Sequence, residues 1–454
     1  MKKCIISVIF FLISFLIISL TFNLVNTSKV NQDHLSSNFN DLITKRELKN
    51  DKKNKLVRKL YDDEVNIANK GKNIKLSSST VELSNNALLK KLLITDGFKL
   101  GIHNISPGSG FIHYVNNKLF VVSSNGVMGY VNLKGGDNNL FINQIKTNIF
   151  KFLHKDSQLK HIGISIKDLL IHKKKIYISY VNNKDNCINN AIISANLDYN
   201  FLEFNKFFTS ATCVDPSDAD HYGSGGVLNS FNENNILFTV GEHKVRDLAQ
   251  DLNVINGKVL KINVDSSEYK ILSMGHRNPQ GLYFDNINNV ILETEHGPQG
   301  GDEINFIEIT KELSGEIPNY GWPISSYGTF YGGEKNPRFE KLKEKYPLHK
   351  SHINYGFIEP IIYFDPSIGI GRIQKLSANK FAVATMVEKS LYIFEFDYNN
   401  RKAKRLKKIF VGERIRDMDI HDNKLFLFLE DSASIGILKI NTLLEYNLEY
   451  GKQI

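Results

Sequence analysis

The sequence predicts an all-β chain, and three observations lead there. From about residue 95 onward, short runs rich in β-branched and aromatic residues alternate with Gly/Asn/Asp turns, and no long helical period interrupts them. Many of these runs share one form, a polar turn such as Asn-Asn-Lys or Asp-Asn-Lys followed by a hydrophobic strand. That form recurs six times, at residues 115–122, 171–180, 231–240, 286–293, 376–385 and 421–429. Short strands alone fit a sandwich, a barrel or a propeller. Six recurrences spaced by several tens of residues fit a six-bladed β-propeller, assigned to residues 92–454.

The chain begins with two lysines and an uncharged apolar run over residues 4–25. That length exceeds the core of a signal peptide and reaches that of a spanning helix. Residues 1–26 therefore read as a signal anchor or a cleaved signal peptide. The lack of a small-x-small cleavage site favours the anchor. Lys2 and Lys3 would remain cytoplasmic, leaving the remainder on the periplasmic or extracytoplasmic side, held to the membrane. Cys4 precedes the apolar run and is badly placed for a lipoprotein cysteine.

Residues 27–91 are rich in Asn, Lys, Ser and Asp and read as a polar basic linker, with a helical patch over 48–65 carried by Leu56, Leu60 and Val65. Residues 1–91 hold 16 Lys/Arg against 8 Asp/Glu, so nearly all of the formal charge of +9 lies there. The rest is close to neutral, which argues against nucleic acid as a partner. Within the propeller region, strands are predicted at 118–123, 175–180, 235–240, 258–262, 290–293, 380–385, 390–396 and 424–429. Cys187 and Cys213 read as a disulfide or as two separate buried thiols; a bond closing that loop would contribute about 3 kcal/mol in the chain-entropy model.

Residues 275–305 concentrate the chemistry. Two loops, GHRNPQG at 275–281 and EHGPQGGDEIN at 295–305, flank a short apolar strand. Gly297-Pro298 and Gly300-Gly301 bend the backbone sharply enough to expose carbonyls, which a hard cation such as calcium takes together with carboxylates. There is no glycine-rich dinucleotide fingerprint between a strand and a helix, which disfavours a nicotinamide or flavin on a Rossmann fold.

GHRNPQGL (275–282), EHGPQGGDEIN (295–305) and NYGWPISSYG (319–328) resemble the signature of the soluble quinoprotein sugar dehydrogenases, the PQQ-dependent glucose and aldose sugar dehydrogenases, which are six-bladed β-propellers. AQDLNVINGKVLKI (249–262), EPIIYFDPSIGIG (359–371) and ERIRDMDI (413–420) match in the right order, so the resemblance covers residues 95–442 and is strongest in the middle. It implies PQQ and calcium as cofactors, an aldose sugar as substrate and a separate electron acceptor. Oxidation at the anomeric carbon needs a base for the hydroxyl proton and a cofactor to accept hydride, since no side chain does so.

The resemblance also implies roles. In DADHYGSGGVL (218–228), His221 corresponds to the base, with Asp220 beside it as a cofactor contact. The arginine usual in that loop is absent, and Gly225, Gly226 and Val227 follow instead. Arg277 and Asn278 correspond to the pair contacting substrate and quinone, where an arginine stabilises developing negative charge. Gly297 and Pro298 supply carbonyls to the calcium beside the quinone. Glu303 and the backbone of Tyr320, assisted by Asp302, correspond to a second calcium site. Arg414 and Arg416 share a strand face and form a clamp for a polycarboxylate. Gln158 and Ser367 align with further cofactor contacts. The lysine expected on the fifth blade is replaced by Val387, with Lys389 two residues on. Trp322 reads as a packing anchor, and His296 leans toward the aldose type. Two other functions fit: a non-catalytic, calcium-stabilised extracellular propeller binding a sugar or protein partner, and a lactone hydrolase polarising its substrate with the metal.

Overall fold

The computed structural model describes residues 52, 55–83, 87–99, 108–133, 140–153, 166–184, 187–217, 221–309, 315–331 and 340–444; the side chains of residues 184 and 221 are outside that description. The apolar run at 4–25 and the contacts expected of Gln158 and Asp220 lie outside it. Among the described residues no helix is long and apolar enough to cross a membrane.

The chain divides into two compact units, Met1–Lys59 and Leu60–Ile454. In the first, the described residues 52 and 55–59 are helical. In the second, residues 60–70 are helical, followed by a hairpin of β1 (Ile74–Glu82) and β2 (Leu88–Ile94). Buried Glu64 on this helix accepts hydrogen bonds from the Lys99 amide (2.6 Å) and the Asn125 side chain (3.1 Å).

Six groups of four antiparallel strands, here called blades, make up the rest; four are separate sheets, and blades I and VI are joined through β1 into one nine-stranded sheet. Blade I comprises β3 (Gly110–Val115), β4 (Lys118–Ser123), β5 (Met128–Asn132) and β6 (Phe141–Gln144). After a short β7 (Lys146–Thr147), blade II comprises β8 (Ile166–His172), β9 (Lys175–Lys184), β10 (Cys187–Asn196) and β12 (Asn205–Thr209); the short β11 (Phe201–Leu202) pairs with β7. Blade III is β13 (Gly225–Asn232), β14 (Asn235–Val240), β15 (Lys258–Asn263) and β16 (Tyr269–Met274). Blade IV is β17 (Pro279–Asp285), β18 (Val290–Glu295), β19 (Asp302–Glu308) and β20 (Ile362–Phe364). Blade V is β21 (Ile370–Lys375), β22 (Lys380–Thr385), β23 (Ser390–Asp397) and β24 (Lys402–Phe410). Blade VI is β25 (Ile415–His421), β26 (Lys424–Leu429) and β27 (Ser434–Lys439), with β2 as its fourth strand.

The first strands β3, β8, β13, β17, β21 and β25 stand side by side in that order, and β25 returns to β3. The ring is therefore closed and the fold is all-β and propeller-like. Each of the six sequence recurrences falls on the hairpin between the first and second strands of one blade. The second strands were the most legible because both faces are covered by neighbouring blades, which makes them continuously apolar. Phe120, Phe238, Phe381 and Phe426 lie on four of them, each essentially inaccessible and contributing roughly 1.5–3 kcal/mol of burial. The Asn116-Asn117 turn in blade I has both residues at positive φ, 50° and 62°, as a two-residue hairpin with the twist of its strands requires.

The expected linker over 27–91 and the propeller boundary at 92 are corrected by β1 and β2. Beyond its first three residues β1 is exposed, and its Ser/Thr/Lys composition reads as linker although its backbone pairs with β6 and β2. Cys187 and Cys213 are bonded, with Cα atoms 5.1 Å apart, tying the start of β10 to the segment that leads into the 218–228 loop.

Candidate active site

A cavity of about 560 Å³ opens where the first strands converge. The loop entering β17 contributes Arg277 and Asn278, the β18–β19 hairpin contributes His296, Gly297 and Pro298, the segment before β21 contributes Ser367, and β25 contributes Arg416. Residues from three blades, separated by more than a hundred positions, thus share one wall. Tyr222 and Gly223, next to His221, line it as well.

The local geometry explains why this segment has the residues it has. The Glu295 carboxylate accepts from the Arg277 amide (2.5 Å) and Asn305 Nδ2 (3.0 Å) and faces His276 Nδ1 (3.1 Å). His276 Nε2 meets Ser273 Oγ at 2.8 Å, and its ring stacks on Tyr320. So fixed, Arg277 extends over the Trp322 ring and donates from Nη1 to the carbonyls of His296 (2.9 Å) and Gly297 (2.6 Å). Trp322 packs with Ala249, Phe330, Tyr346 and Leu348, in line with its reading as an anchor. Asn278 Oδ1 accepts from the Gly225 amide of blade III (3.1 Å), and its Nδ2 lies 3.4 Å from His296 Nδ1. Gly297 tolerates no side chain, since a Cβ there would lie 2.1 Å from the Gly301 carbonyl oxygen.

Asp302 acts as a clip. Its Oδ1 accepts from the Gly297 amide (3.2 Å), and its Oδ2 from the amides of Ile368, Gly369 and Ile370 (3.0, 2.8 and 3.1 Å). With four N–H donors on one carboxylate, the hairpin of blade IV is fastened to the entry of blade V. Ser367 Oγ lies 3.5 Å from the Pro298 carbonyl oxygen, at the outer limit of a hydrogen bond.

Arg414 and Arg416 both reach Glu430. Arg416 Nη2 contacts the two Glu430 oxygens at 2.8 and 2.9 Å, and Arg414 Nε contacts Oε2 at 2.9 Å. Burial alone would raise the Glu430 carboxyl, but the two guanidinium groups outweigh it and hold it at about 2. Arg416 lines the cavity, whereas Arg414 does not. Val387 lines the cavity; Lys389 turns away to pair with Asp431 at 2.7 Å.

Glu303 and Tyr320 lie behind this wall, around a small second void. His352 stands between them, its Nδ1 2.8 Å from the Tyr320 carbonyl oxygen and its Nε2 3.5 Å from Glu303 Oε1. Nearby, His276, Glu293 and Glu295 bring their ligand atoms within 4.8 Å of one another. Burial first, and the charge of Glu295 second, push the Glu293 carboxyl well above the usual range.

The charged lining is one-sided: Lys167, Lys244, Arg277, Arg372 and Arg416 against the saturated carboxylate of Asp302. Desolvation, the largest influence, lowers the His296 pKa, and a hydrogen bond to the Ile370 backbone opposes it. Sequence reasoning missed Lys167 and Arg372. Arg372 crosses the ring from β21 to Asp168 of β8 and pairs with Asp417 of β25 through Nε (2.6 Å). Burial raises the Asp168 carboxyl to about 7 although Arg372 opposes it. The signal for Lys167 was the recurrence of Ile-(Lys/Arg)-Asp at 166–168 and 415–417.

The profile of the Glucose / Sorbosone dehydrogenase family matches residues 116–439. The aldose sugar dehydrogenase YliI of Escherichia coli is 27% identical over 247 residues, which cover 50% of this chain and 61% of that protein. The quinoprotein glucose dehydrogenase B of Acinetobacter calcoaceticus is 33% identical over 138 residues, covering 24% of this chain and 27% of that protein. The aligned regions thus span less than two thirds of either relative. Among solved structures, a glucose dehydrogenase superposes with a TM-score of 0.57 at 19% identity, covering 72% of this chain and 95% of that one. The apo-form soluble aldose sugar dehydrogenase of Escherichia coli superposes with a TM-score of 0.56 at 20% identity, covering 72% and 94%, and both likenesses bear on the fold. With the family profile spanning most of its length, this chain belongs to the glucose/sorbosone dehydrogenase family.

Proposed function

We propose that this protein oxidises an aldose sugar at its anomeric carbon, using PQQ bound in the central cavity and passing electrons to a separate acceptor. One observation carries the reading: Arg277, Asn278, Gly297, Pro298, Ser367 and Arg416, which the sequence resemblance singles out, converge on one basic cavity. PQQ is a planar polycarboxylate, and a wall of five cationic side chains suits it. The name of the Acinetobacter relative, a quinoprotein, supports the same cofactor.

When bound, the quinone supplies the hydride acceptor. The residues of this chain do the rest. Arg277, anchored on two carbonyls and on Trp322, presents fixed positive charge to the cavity. Asn278 ties blades III and IV and orients His296. Arg416, held by Glu430, is preorganised for a carboxylate, and Arg414 also holds Glu430 through Oε2. His221 is the proposed proton acceptor, with Asp220 and Gln158 as further contacts.

Calcium fits at one of the two expected places. Gly297 and Pro298 line the cavity, but their carbonyls are neutral and the Gly297 oxygen already takes the Arg277 donor. A hard cation needs six to eight oxygens, so calcium here would be held jointly with the carboxylates of the cofactor. The pair of Glu303 and Tyr320 is already spanned by His352, and a cation there does not fit. Extracytoplasmic location is proposed from the apolar run at 4–25 and supported by the Cys187–Cys213 bond.

The test is a titration of the whole protein with PQQ and calcium, followed by aldoses and a dye acceptor. Stoichiometric binding with dye reduction that is lost in His221→Ala is expected. Absence of PQQ binding would sink the dehydrogenase and leave a non-catalytic propeller that binds a sugar or protein.

A further inference from the structure

The first strands of blades II to VI are all bulged as they enter the cavity. The register shifts between Ile166 and Asp168, Gly225 and Leu228, Pro279 and Gly281, Ile370 and Ile373, and Ile415 and Asp417. A bulge removes a residue from the ladder and re-aims its side chain. Lys167, Val227, Gln280, Arg372 and Arg416 are among the residues so released, and all five line the cavity.

Blades II and VI go further and repeat the sequence around the bulge, IKDLLIH at 166–172 and IRDMDIH at 415–421. The repeat is structural too. In each copy the aspartate after the cation reaches the next first strand: Asp168 Oδ2 accepts from the Leu228 amide of blade III (2.5 Å), and Asp417 Oδ2 from the Ile112 amide of blade I (2.8 Å). Lys167 is therefore the blade II counterpart of Arg416.

The facing strand is shaped around that lysine. Gly226 has φ +107°, and a Cβ there would lie 2.4 Å from Lys167 Cβ and 2.9 Å from its Cγ. Thr239 Oγ1 accepts from the Gly226 amide (3.2 Å) and Ser179 donates to its carbonyl, so this backbone has little room to retreat. The 218–228 loop lacks its arginine, and the space beside it is filled by the stem of a lysine from the neighbouring blade.

We propose that Lys167 is a cofactor-binding residue that contacts a carboxylate of the anionic cofactor from blade II, as Arg416 is placed to do from blade VI. The inference rests on the reading of the cavity as a PQQ site. The test measures the Kd of PQQ by equilibrium titration in the whole protein at two salt concentrations, in wild type, Lys167→Met, Lys167→Gln and Lys167→Arg, with the thermal midpoint without cofactor as a folding control. Loss of a charge-assisted contact predicts Kd raised about tenfold or more in the Met and Gln variants, with a shallower salt dependence and near-recovery in the Arg variant. Wild type that binds PQQ while the folded Met and Gln variants bind it equally overturns the inference alone. Wild type that fails to bind PQQ overturns the cavity reading and the inference with it.

Discussion

Glu430→Gln isolates the electrostatics of the arginine pair. Glu430 is 2% exposed and is engaged by Arg414, Arg416 and the Ser109 hydroxyl. Its pKa falls from 4.5 to about 2 on folding, a depression worth about 3 kcal/mol of stability at neutral pH. Because the folded value is the lower one, this stability is fully present above the unfolded value of 4.5 and is lost as pH falls toward 2. The amide keeps the shape and removes the charge, leaving two guanidinium groups against a neutral partner. Urea denaturation of both proteins at pH 7 should show the variant less stable by about 3 kcal/mol. Repeating the comparison at lower pH should show the gap narrowing below 4.5. Equal stability at pH 7, or a gap that does not change between pH 6 and pH 3, would refute the view that the two arginines are held by a buried carboxylate.

Four further outcomes are expected. Asp302→Asn should destabilise the fold by about 2–3 kcal/mol in chemical denaturation, because one of the four N–H donors would then face an amide donor. Gly297→Ala should give little folded protein, judged by soluble yield and circular dichroism, since its Cβ would overlap two carbonyl oxygens. Replacing Cys187 and Cys213 together by Ser should cost about 3 kcal/mol, and wild type with reductant should lose a similar amount. Removing residues 1–94 should yield aggregated protein by size-exclusion chromatography, as blade VI would lose its fourth strand.

Legibility followed the range of the interactions. The second strand of each blade was visible because burial on both faces leaves a continuous apolar run, and the glycines of 297–301 were visible because a tight hairpin demands them. The hairpin at 74–94 was not, because β1 is held by backbone pairing to β2 and β6 while most of its side chains stay exposed, which permits a linker-like composition. Arg277 and Arg416 were found through motifs. Glu430 was not, because its meaning comes from two guanidinium groups that only folding brings to it. The Arg372–Asp168 contact joins residues 204 positions apart, and no local pattern encodes it. Asp302 was read only as assisting a calcium site; its role as a clip, taking the amides of Gly297 and of Ile368, Gly369 and Ile370, was not legible because it depends on a segment more than sixty positions away.

The pairing of β2 with β27 has a consequence for how the chain acquires its fold during synthesis. Lys90 sits opposite Ile437 and Leu92 opposite Ile435, so a strand made early waits for one made near the end. Until β27 emerges from the ribosome, β2 can pair only with β1, and its other edge is open to any passing strand. Two adjacent lysines, Lys90 and Lys91, place charge on both faces of that edge, a common safeguard against intermolecular pairing. Lys91 later meets Glu413 in the finished ring. Long-range closure of this kind makes the last step of folding slow and cooperative, so that the cavity is complete only once the two ends of the domain have met.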